Sequence, residues 1–230
     1  MKIVLLLLVA GPAIAVAAMQ AAGKGRRRRE FLQFAGQSGL EYSPTDPIGL
    51  IDHTFDLFNL ADAARCENVL WGEWNGVPVK AGELRFGPSS RGIQNGQRAS
   101  SRLFSFAFTE VAAWLPHITI RHDPLGGLAE DLGLRRIRFE SEVFNRTFAV
   151  DCEDRQFAYN FVDVGLLQWL VSMAAATRSQ FCFEARGNRL LVHCPRIKPD
   201  GLVPLLAMAQ GFHDHIPRMV LRQYDSGRPA

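Results

Sequence analysis

The chain has 230 residues, of which 47% are hydrophobic, 21% charged and 10% aromatic. This composition excludes a disordered chain, and four scattered cysteines in so long a chain exclude a small disulfide-stapled scaffold. The net charge of +3 comes from the N-terminus, because residues 1–29 contain six of the 26 Lys and Arg residues and no Asp or Glu. The rest of the chain is slightly acidic, so no nucleic acid is expected as a partner.

The N-terminal segment is long and apolar enough to cross a membrane. Residues 3–22 are apolar except for Gln20, and as a helix they would span about 30 Å, the thickness of a bilayer hydrocarbon core. We therefore predict a single-pass transmembrane anchor over residues 1–23. More positive charge follows this segment than precedes it, which by the positive-inside rule places the globular domain in the cytoplasm.

A basic juxtamembrane segment over residues 24–30 follows the predicted anchor. Lys and Arg side chains beside a membrane span determine its orientation, and they also attract anionic lipid headgroups by on the order of 1 kcal/mol each. The segment is therefore a candidate lipid-binding site. Its basic residues are Lys24, Arg26, Arg27, Arg28 and Arg29.

The same N-terminal segment also fits a cleaved signal peptide. Lys2 would form the positive n-region, residues 5–10 the apolar h-region, and Ala15-Val16-Ala17 the small-residue cleavage site. The cleaved chain would be secreted. Because the basic cluster after the cleavage site resists translocation, the retained anchor is the favoured interpretation and secretion the alternative.

The first half of the domain is predicted to hold one helix followed by strands. The helix, over residues 29–38, carries an apolar stripe and ends at Gly39, where a helix C-cap belongs. Residues 48–60 fit either a helix or a packed loop, and residues 87–101 predict a long loop. Asn75-Gly76 favours the type I′ turn of a hairpin. The strands predicted in this half cover residues 68–74, 77–86, 102–109 and 118–121.

The second half mixes helices with short strands. The acidic residues at 151–154 open the most regular helix of the chain, which extends to Ala176. Asp200 caps a last helix that Pro217 stops, and Gly187-Asn188 predicts a second hairpin. The strands predicted here cover residues 136–140, 147–150, 181–185 and 190–194, and a loop or single helical turn is predicted over 126–133.

These elements predict one α+β domain over residues 31–222, with a polar tail over 223–230. Hairpin signals dominate and β-α-β alternation is missing, so the sheet is expected to be mainly antiparallel with two to three packed helices. A chain of this length buries enough surface for one hydrophobic core.

Three stretches of the sequence resemble a known group of proteins. They are Asn-x-Leu-x-Gly-x-Trp-x-Gly at 68–76, Phe-Glu-Ser-Glu-x-Phe-Asn-Arg-x-Phe-x-Val at 139–150, and Asp-Arg-Gln-Phe-Ala at 154–158. With the N-terminal span, this order resembles uncharacterised bacterial membrane-anchored proteins that carry a domain of unknown function. The resemblance implies an anchored α+β domain and no activity, cofactor or site residue.

The second predicted hairpin supplies the strongest candidate for chemistry. A two-residue turn at Gly187-Asn188 would place Cys182 opposite His193, with Glu184 as the diagonal neighbour on the same face. A thiol activated by a histidine that a carboxylate orients is the arrangement of a cysteine nucleophile. The same register puts Cys182 and Cys194 on opposite faces of the hairpin.

No metal or cofactor site is predicted. The chain has no C-x-x-C, G-x-S-x-G or H-E-x-x-H pattern and no glycine-rich phosphate loop. The two histidines of His213-Asp214-His215 would point away from each other on a helix, and Asp52-His53 and residues 117–123 lack a partner at useful spacing. A disulfide between Cys66 and Cys152 remains open.

The sequence therefore favours a non-enzymatic, membrane-tethered domain. Its expected partners are the membrane, anionic lipid headgroups and an unidentified protein. The alternative is a thiol-dependent enzyme that uses Cys182, His193 and Glu184.

Overall fold

A computed structural model describes residues 22–59, 64–86, 102–122, 137–177 and 180–225. The described chain is α+β, and every strand pairing in it is antiparallel, as the sequence predicted. The predicted membrane anchor, residues 1–23, lies outside the described residues except at its last two positions. Among the helices that the structure describes, none has the length and apolarity needed to cross a bilayer.

Other predictions also fall outside the described residues. These are the loops over 87–101 and 126–133 and the end of the polar tail, 226–230.

The sheet has six strands, with the long strand β4 at its centre. One edge of β4 pairs with β3 near residue 106 and with β5 near residue 120, while the other edge pairs with β6. Strands β1 and β2 extend the sheet beyond β3. The strands are β1 Glu41–Ser43, β2 Ala64–Trp74, β3 Val77–Phe86, β4 Leu103–His122, β5 Phe148–Cys152 and β6 Cys182–Pro195.

The β2–β3 hairpin forms as predicted. Asn75 and Gly76 both have positive φ, at 49° and 82°, which is the requirement of a type I′ turn. The pairing is interrupted between Glu67 and Leu70, where Asn68 has a φ of 53°. This irregularity aims the Asn68 side chain at a buried carboxylate described below.

Strand β4 corrects the prediction of two separate strands at 102–109 and 118–121. The chain continues through Leu115-Pro116 as one strand of 20 residues. The register to β6 shifts between Glu110 and Leu115 and again between Leu115 and Ile118. Proline lacks an N–H donor and is tolerated in a strand at such irregularities, so Pro116 bends β4 without ending it.

Strand β6 corrects the second predicted hairpin. Residues 182–195 form one strand that pairs with β4 along its length, from Phe183 opposite Ile120 to Pro195 opposite Phe104. Gly187 has the positive φ that the sequence suggested, at 59°, but it lies at the register shift opposite Leu115. Its conformation produces a bulge instead of a turn, because the residues before and after Gly187 both pair with β4.

The described helices are more numerous than the two or three predicted, and the first one is longer than the predicted 29–38. Helix α1 covers residues 22–38 and ends before Gly39, whose φ of 69° is that of a helix C-cap glycine. Residues 48–60, which the sequence left undecided, hold two 3₁₀ turns at Leu50–Asp52 and Asp56–Asn59. The remaining helices are α2 Glu142–Thr147, α3 Arg155–Phe161, α4 Val164–Ala176, α5 Leu202–Asp214 and α6 Arg218–Gln223.

The predicted helix over 151–176 is two helices with separate caps. The Asp154 carboxylate accepts the N–H of Phe157 to start α3, and the Asp163 carboxylate accepts the N–H of Leu166 to start α4, both at 2.9 Å. Each capping side chain favours a new helix start.

Three further boundaries differ from the prediction. Residues 137–140 are not a strand, because Ser141 caps α2 directly after them. Asp200 lies in a 3₁₀ turn and does not cap α5. Pro217 ends one helix, as predicted, but also starts α6, since the first turn of a helix needs no proline N–H.

Two hydrophobic clusters cover the two faces of the sheet. On one face, α1 and α3–α6 pack against strand residues such as Ala107 and Val192. On the other face, the 3₁₀ turns at 50–59 pack on Phe106 and Phe108. The segment that carries Asp56 is thereby held against β4.

Candidate functional site

The basic segment lies in the first turns of α1. Phe31 and Ala35 are buried and attach this helix to the sheet. Arg26 pairs with Glu30 at 2.8 Å on the helix surface. The cationic residues of the segment that face solvent are Lys24, Arg26, Arg28 and Arg29.

Arg27 has a different environment from its neighbours. Its guanidinium contacts the Glu83 carboxylate at 2.7 and 2.8 Å, and its Nη2 donates to the carbonyl of Ile197 at 2.6 Å. Glu83 is 2% exposed and also accepts from Arg196 Nε at 2.9 Å and Asn68 Nδ2 at 2.6 Å. Arg27 is thus engaged inside the protein, and any lipid binding falls to the other four cations.

This network holds Glu83 in its ionised form. Burial alone would raise the pKa of Glu83, but the hydrogen bonds and charge of Arg27, with Arg196 and Asn68, outweigh burial and lower it. The sequence analysis did not identify Glu83. The sequence pattern that could have identified it is the alternation in β3, which puts the acidic Glu83 on the same strand face as the apolar Val79 and Ala81.

The predicted Cys182–His193 pair is not formed. Because β6 is one strand, His193 lies opposite Phe106 and its ring packs edge-on against Phe104, with centroids 6.0 Å apart. Burial raises the pKa of the Cys182 thiol, whereas an activated nucleophile needs a lowered one. The geometry therefore does not favour a Cys182 nucleophile.

Glu184 instead meets His117, for which the sequence suggested no partner, and Asp56, which no sequence pattern singled out. His117 Nε2 lies 2.9 Å from Glu184 Oε1 and 3.8 Å from Asp56 Oδ1. The backbone N–H of Asp56 donates to both oxygens of Glu184, at 3.0 and 3.2 Å. We call Asp56, His117 and Glu184 the acid–histidine cluster.

The acid–histidine cluster joins three elements: a 3₁₀ turn, β4 and β6. Glu184 is 2% exposed, and this burial is the main cause of its raised pKa. The Asp56 N–H and the His117 imidazole act to lower the pKa, but they offset the effect of burial only in part. Arg186 stands beside the cluster, with Nη1 donating to the Thr54 carbonyl at 2.6 Å and 3.8 Å from Asp56 Oδ1.

Cavities lie on both sides of this cluster. One, of about 220 Å³, is lined by Asp56, Glu184, Thr119 and His193 among others. The second, of about 550 Å³, is lined by His117 and by the exposed Trp114 among others. The structure thus brings two of the three predicted catalytic residues to one cavity, but with Cys182 outside its lining.

The four cysteines are free thiols, so the Cys66–Cys152 disulfide left open by the sequence is not formed. Cys194 is a buried thiol, and burial raises its pKa to about 12, with the charge of Cys182 a lesser cause. His213 pairs with Asp214, whereas His215 hydrogen-bonds the Gly211 carbonyl and stacks on Trp169. These two histidines have separate partners.

A pH effect is expected from His193. Burial lowers its pKa to about 4, well below the value of about 6.5 in an unfolded chain. Between these two values, His193 is protonated in the unfolded chain but neutral in the folded chain. The free energy of unfolding therefore decreases as the pH falls from about 6.5 to about 4. The loss amounts to up to about 3 kcal/mol.

The variant His193→Leu lacks this titration. Its unfolding free energy in urea should fall less than that of the wild type between pH 7 and the acid range, while the exposed-site control His213→Gln should follow the wild type. Equal pH dependence in all three proteins would show that His193 is not buried in its neutral form.

Comparison with known proteins gives a similarity in structure but none in sequence. No family model and no curated protein sequence matches this chain. The fold is similar to the crystal structure of the mycobacterial trehalose monomycolate transport factor A, TtfA, with a TM-score of 0.56. The match covers 90% of this chain and 98% of that one at 14% sequence identity. At this identity the similarity shows a shared fold.

Proposed function

We propose that this protein is a non-enzymatic, membrane-associated factor that binds anionic lipid headgroups and takes part in lipid transport. The observation that carries the proposal is the attachment of α1 to the sheet by the buried Arg27–Glu83 pair. Since α1 directly follows the predicted membrane anchor, this attachment would hold the domain at the membrane surface with one orientation.

The remaining cations of α1 suit a headgroup-binding surface. Lys24, Arg28 and Arg29 are exposed, and the described residues give them no ion pair. Beside them, α1 and Lys198 line a groove of about 620 Å³ that also contains Phe34 and Arg26. The lining also includes the acidic Glu30 and Asp200, and Arg26 is paired with Glu30. Lys198 and Phe34 are the groove residues that offer contacts to the phosphate and the upper acyl region of a lipid.

The similarity to TtfA supports the lipid-transport part of the proposal. That protein is named as a transport factor for a glycolipid, trehalose monomycolate. A single-pass anchor and a cytoplasmic domain, as the sequence predicts, are compatible with such a role. The alternative of a thiol-dependent enzyme gains no support from the geometry of Cys182.

The test replaces the three unpaired cations together. In the variant Lys24→Gln/Arg28→Gln/Arg29→Gln, the detergent-solubilised full chain should bind phosphatidylglycerol roughly 100-fold more weakly, because each cation contributes on the order of 1 kcal/mol. Native mass spectrometry of the lipid-bound fraction measures this. The matched control is Arg155→Gln/Arg218→Gln/Arg222→Gln, which removes three exposed charges elsewhere.

The control variant should bind like the wild type. An equal loss in both triple variants would mean that lipid binding depends only on total charge, and unchanged binding in the α1 variant would exclude the lipid-binding surface.

A further inference from the structure

We propose that the acid–histidine cluster of Asp56, His117 and Glu184 is a binding site for a divalent transition-metal ion of the Zn²⁺ class. This inference is independent of the proposed lipid role, which uses the opposite face of the sheet. One imidazole nitrogen and two carboxylate oxygens form a donor set that favours Zn²⁺ over Mg²⁺, because Mg²⁺ is bound by oxygen ligands and water.

The distances between these atoms suit one metal ion. Ligands about 2.0–2.2 Å from a tetrahedral Zn²⁺ lie about 3.4 Å from one another. His117 Nε2 is 2.9 Å from Glu184 Oε1 and 3.8 Å from Asp56 Oδ1, and all three ligand atoms lie within 4.8 Å of each other. The two distances from His117 Nε2 are each within about 0.5 Å of this spacing, and the separation between the Asp56 and Glu184 oxygens is at most 4.8 Å.

Contacts in the structure hold two of the three ligands, Glu184 and Asp56, in place. Glu184 projects from β6 and its oxygens are oriented by the Asp56 N–H. The segment that carries Asp56 is fixed by aromatic contacts, with Phe55 5.9 Å from Phe108 and Phe58 5.2 Å from Phe106 between ring centroids. Preorganised ligands lower the cost of forming a metal site.

The surroundings offer a place for a further ligand. The cavity of about 220 Å³ adjoins Asp56 and Glu184 and also receives His193, whose Nδ1 is buried and has no hydrogen-bond partner among the described residues. A buried polar atom that faces a cavity normally hydrogen-bonds water or a bound group. A water or small anion on the metal could occupy this cavity and satisfy His193.

Arg121 lines the cavity beside Asp56 and Glu184. Arg186 is a second cation near the proposed ligands, 3.8 Å from Asp56 Oδ1. Its shortest hydrogen bond is to the Thr54 carbonyl, so the guanidinium is held there independently of Asp56. A metal ion would be repelled by this charge. The proposal therefore predicts that Arg186→Gln binds Zn²⁺ more tightly than the wild type.

The experiment is calorimetric titration of the EDTA-stripped, detergent-solubilised full chain with ZnCl₂. The wild type should bind one Zn²⁺ through the cluster, and His117→Gln and Asp56→Asn should each weaken this binding at least about 10-fold. Both side chains are partly exposed, so these variants should fold, whereas Glu184→Gln alters a buried group.

The control is His213→Gln, which removes the exposed histidine–aspartate pair on α5 and should leave Zn²⁺ binding unchanged. A rise in the melting temperature with Zn²⁺ in the wild type and the control, but not in His117→Gln, gives a second readout. The proposal is overturned if the wild type shows no stoichiometric binding, if His117→Gln and Asp56→Asn bind like the wild type, or if Arg186→Gln binds more weakly.

Discussion

The variant Glu83→Gln is expected to lose about 3–5 kcal/mol of unfolding free energy, because it leaves the buried Arg27 guanidinium without its counter-charge. The side-chain exposures of the pair are 11% for Arg27 and 3% for Glu83. Glutamine has the same shape as glutamate, so the loss would come from charge and hydrogen bonding rather than from a cavity. Urea unfolding of the full chain measures the effect.

A surface pair provides the matched control. Lys80 and Glu110 form an ion pair at 2.7 Å with side chains 37% and 42% exposed. Because water screens such pairs, Glu110→Gln should cost less than about 1 kcal/mol. Similar losses in the two variants would contradict a special role for the buried pair.

The pH dependence separates the charge of Glu83 from other effects. Its folded-state pKa is lowered, so its contribution to stability is present above the pKa of the unfolded chain and is lost as the pH falls through the folded value. Glu83→Gln lacks this carboxyl group. The difference between the wild type and the variant should therefore shrink in acid.

The variant Phe106→Ala should cost about 3–5 kcal/mol, the usual range for removing a fully buried aromatic side chain. Phe106 is 0% exposed and its ring packs edge-on against Phe58 at 5.2 Å. The cavity left behind would lie under the segment that carries Asp56. Urea unfolding measures the stability, and Zn²⁺ titration of the folded variant reports the position of Asp56.

Phe104→Ala is the matched control for Phe106→Ala. Phe104 lies on the same strand and the same face, but is only half-buried. Its replacement should cost clearly less, since fewer packing contacts and less apolar area are lost. An equal loss of unfolding free energy in both variants would mean that the sheet face covered by the 3₁₀ turns does not form a packed core around Phe106.

The sequence predictions that the structure confirms depend on interactions between residues that are close together in the chain. The Asn75-Gly76 turn, the Gly39 helix end and the Asp154 cap each act within four residues, so chain neighbours alone specify them. The alternation of Phe104, Phe106 and Phe108 along the chain is equally local, and it is what puts these rings on one face of β4.

The second predicted hairpin was wrong, although its local turn pattern is present in the sequence. Gly187-Asn188 carries a turn signal, and Gly187 does adopt positive φ. The same local conformation fits a hairpin turn or a bulge in a continuous strand. The choice between them depended on β4, whose own irregularity at 110–118 accommodates the bulge.

The sequence by itself determined the composition class, the α+β class and the antiparallel sheet, and it predicts an anchor with a basic flank. Only the tertiary structure decided which polar residues meet. Arg27 and Glu83 are 56 residues apart in the chain, and Asp56 and Glu184 are 128 apart. Periodicity and caps act over one or two helical turns, whereas contacts at these separations exist only after the strands have paired and the helices have docked.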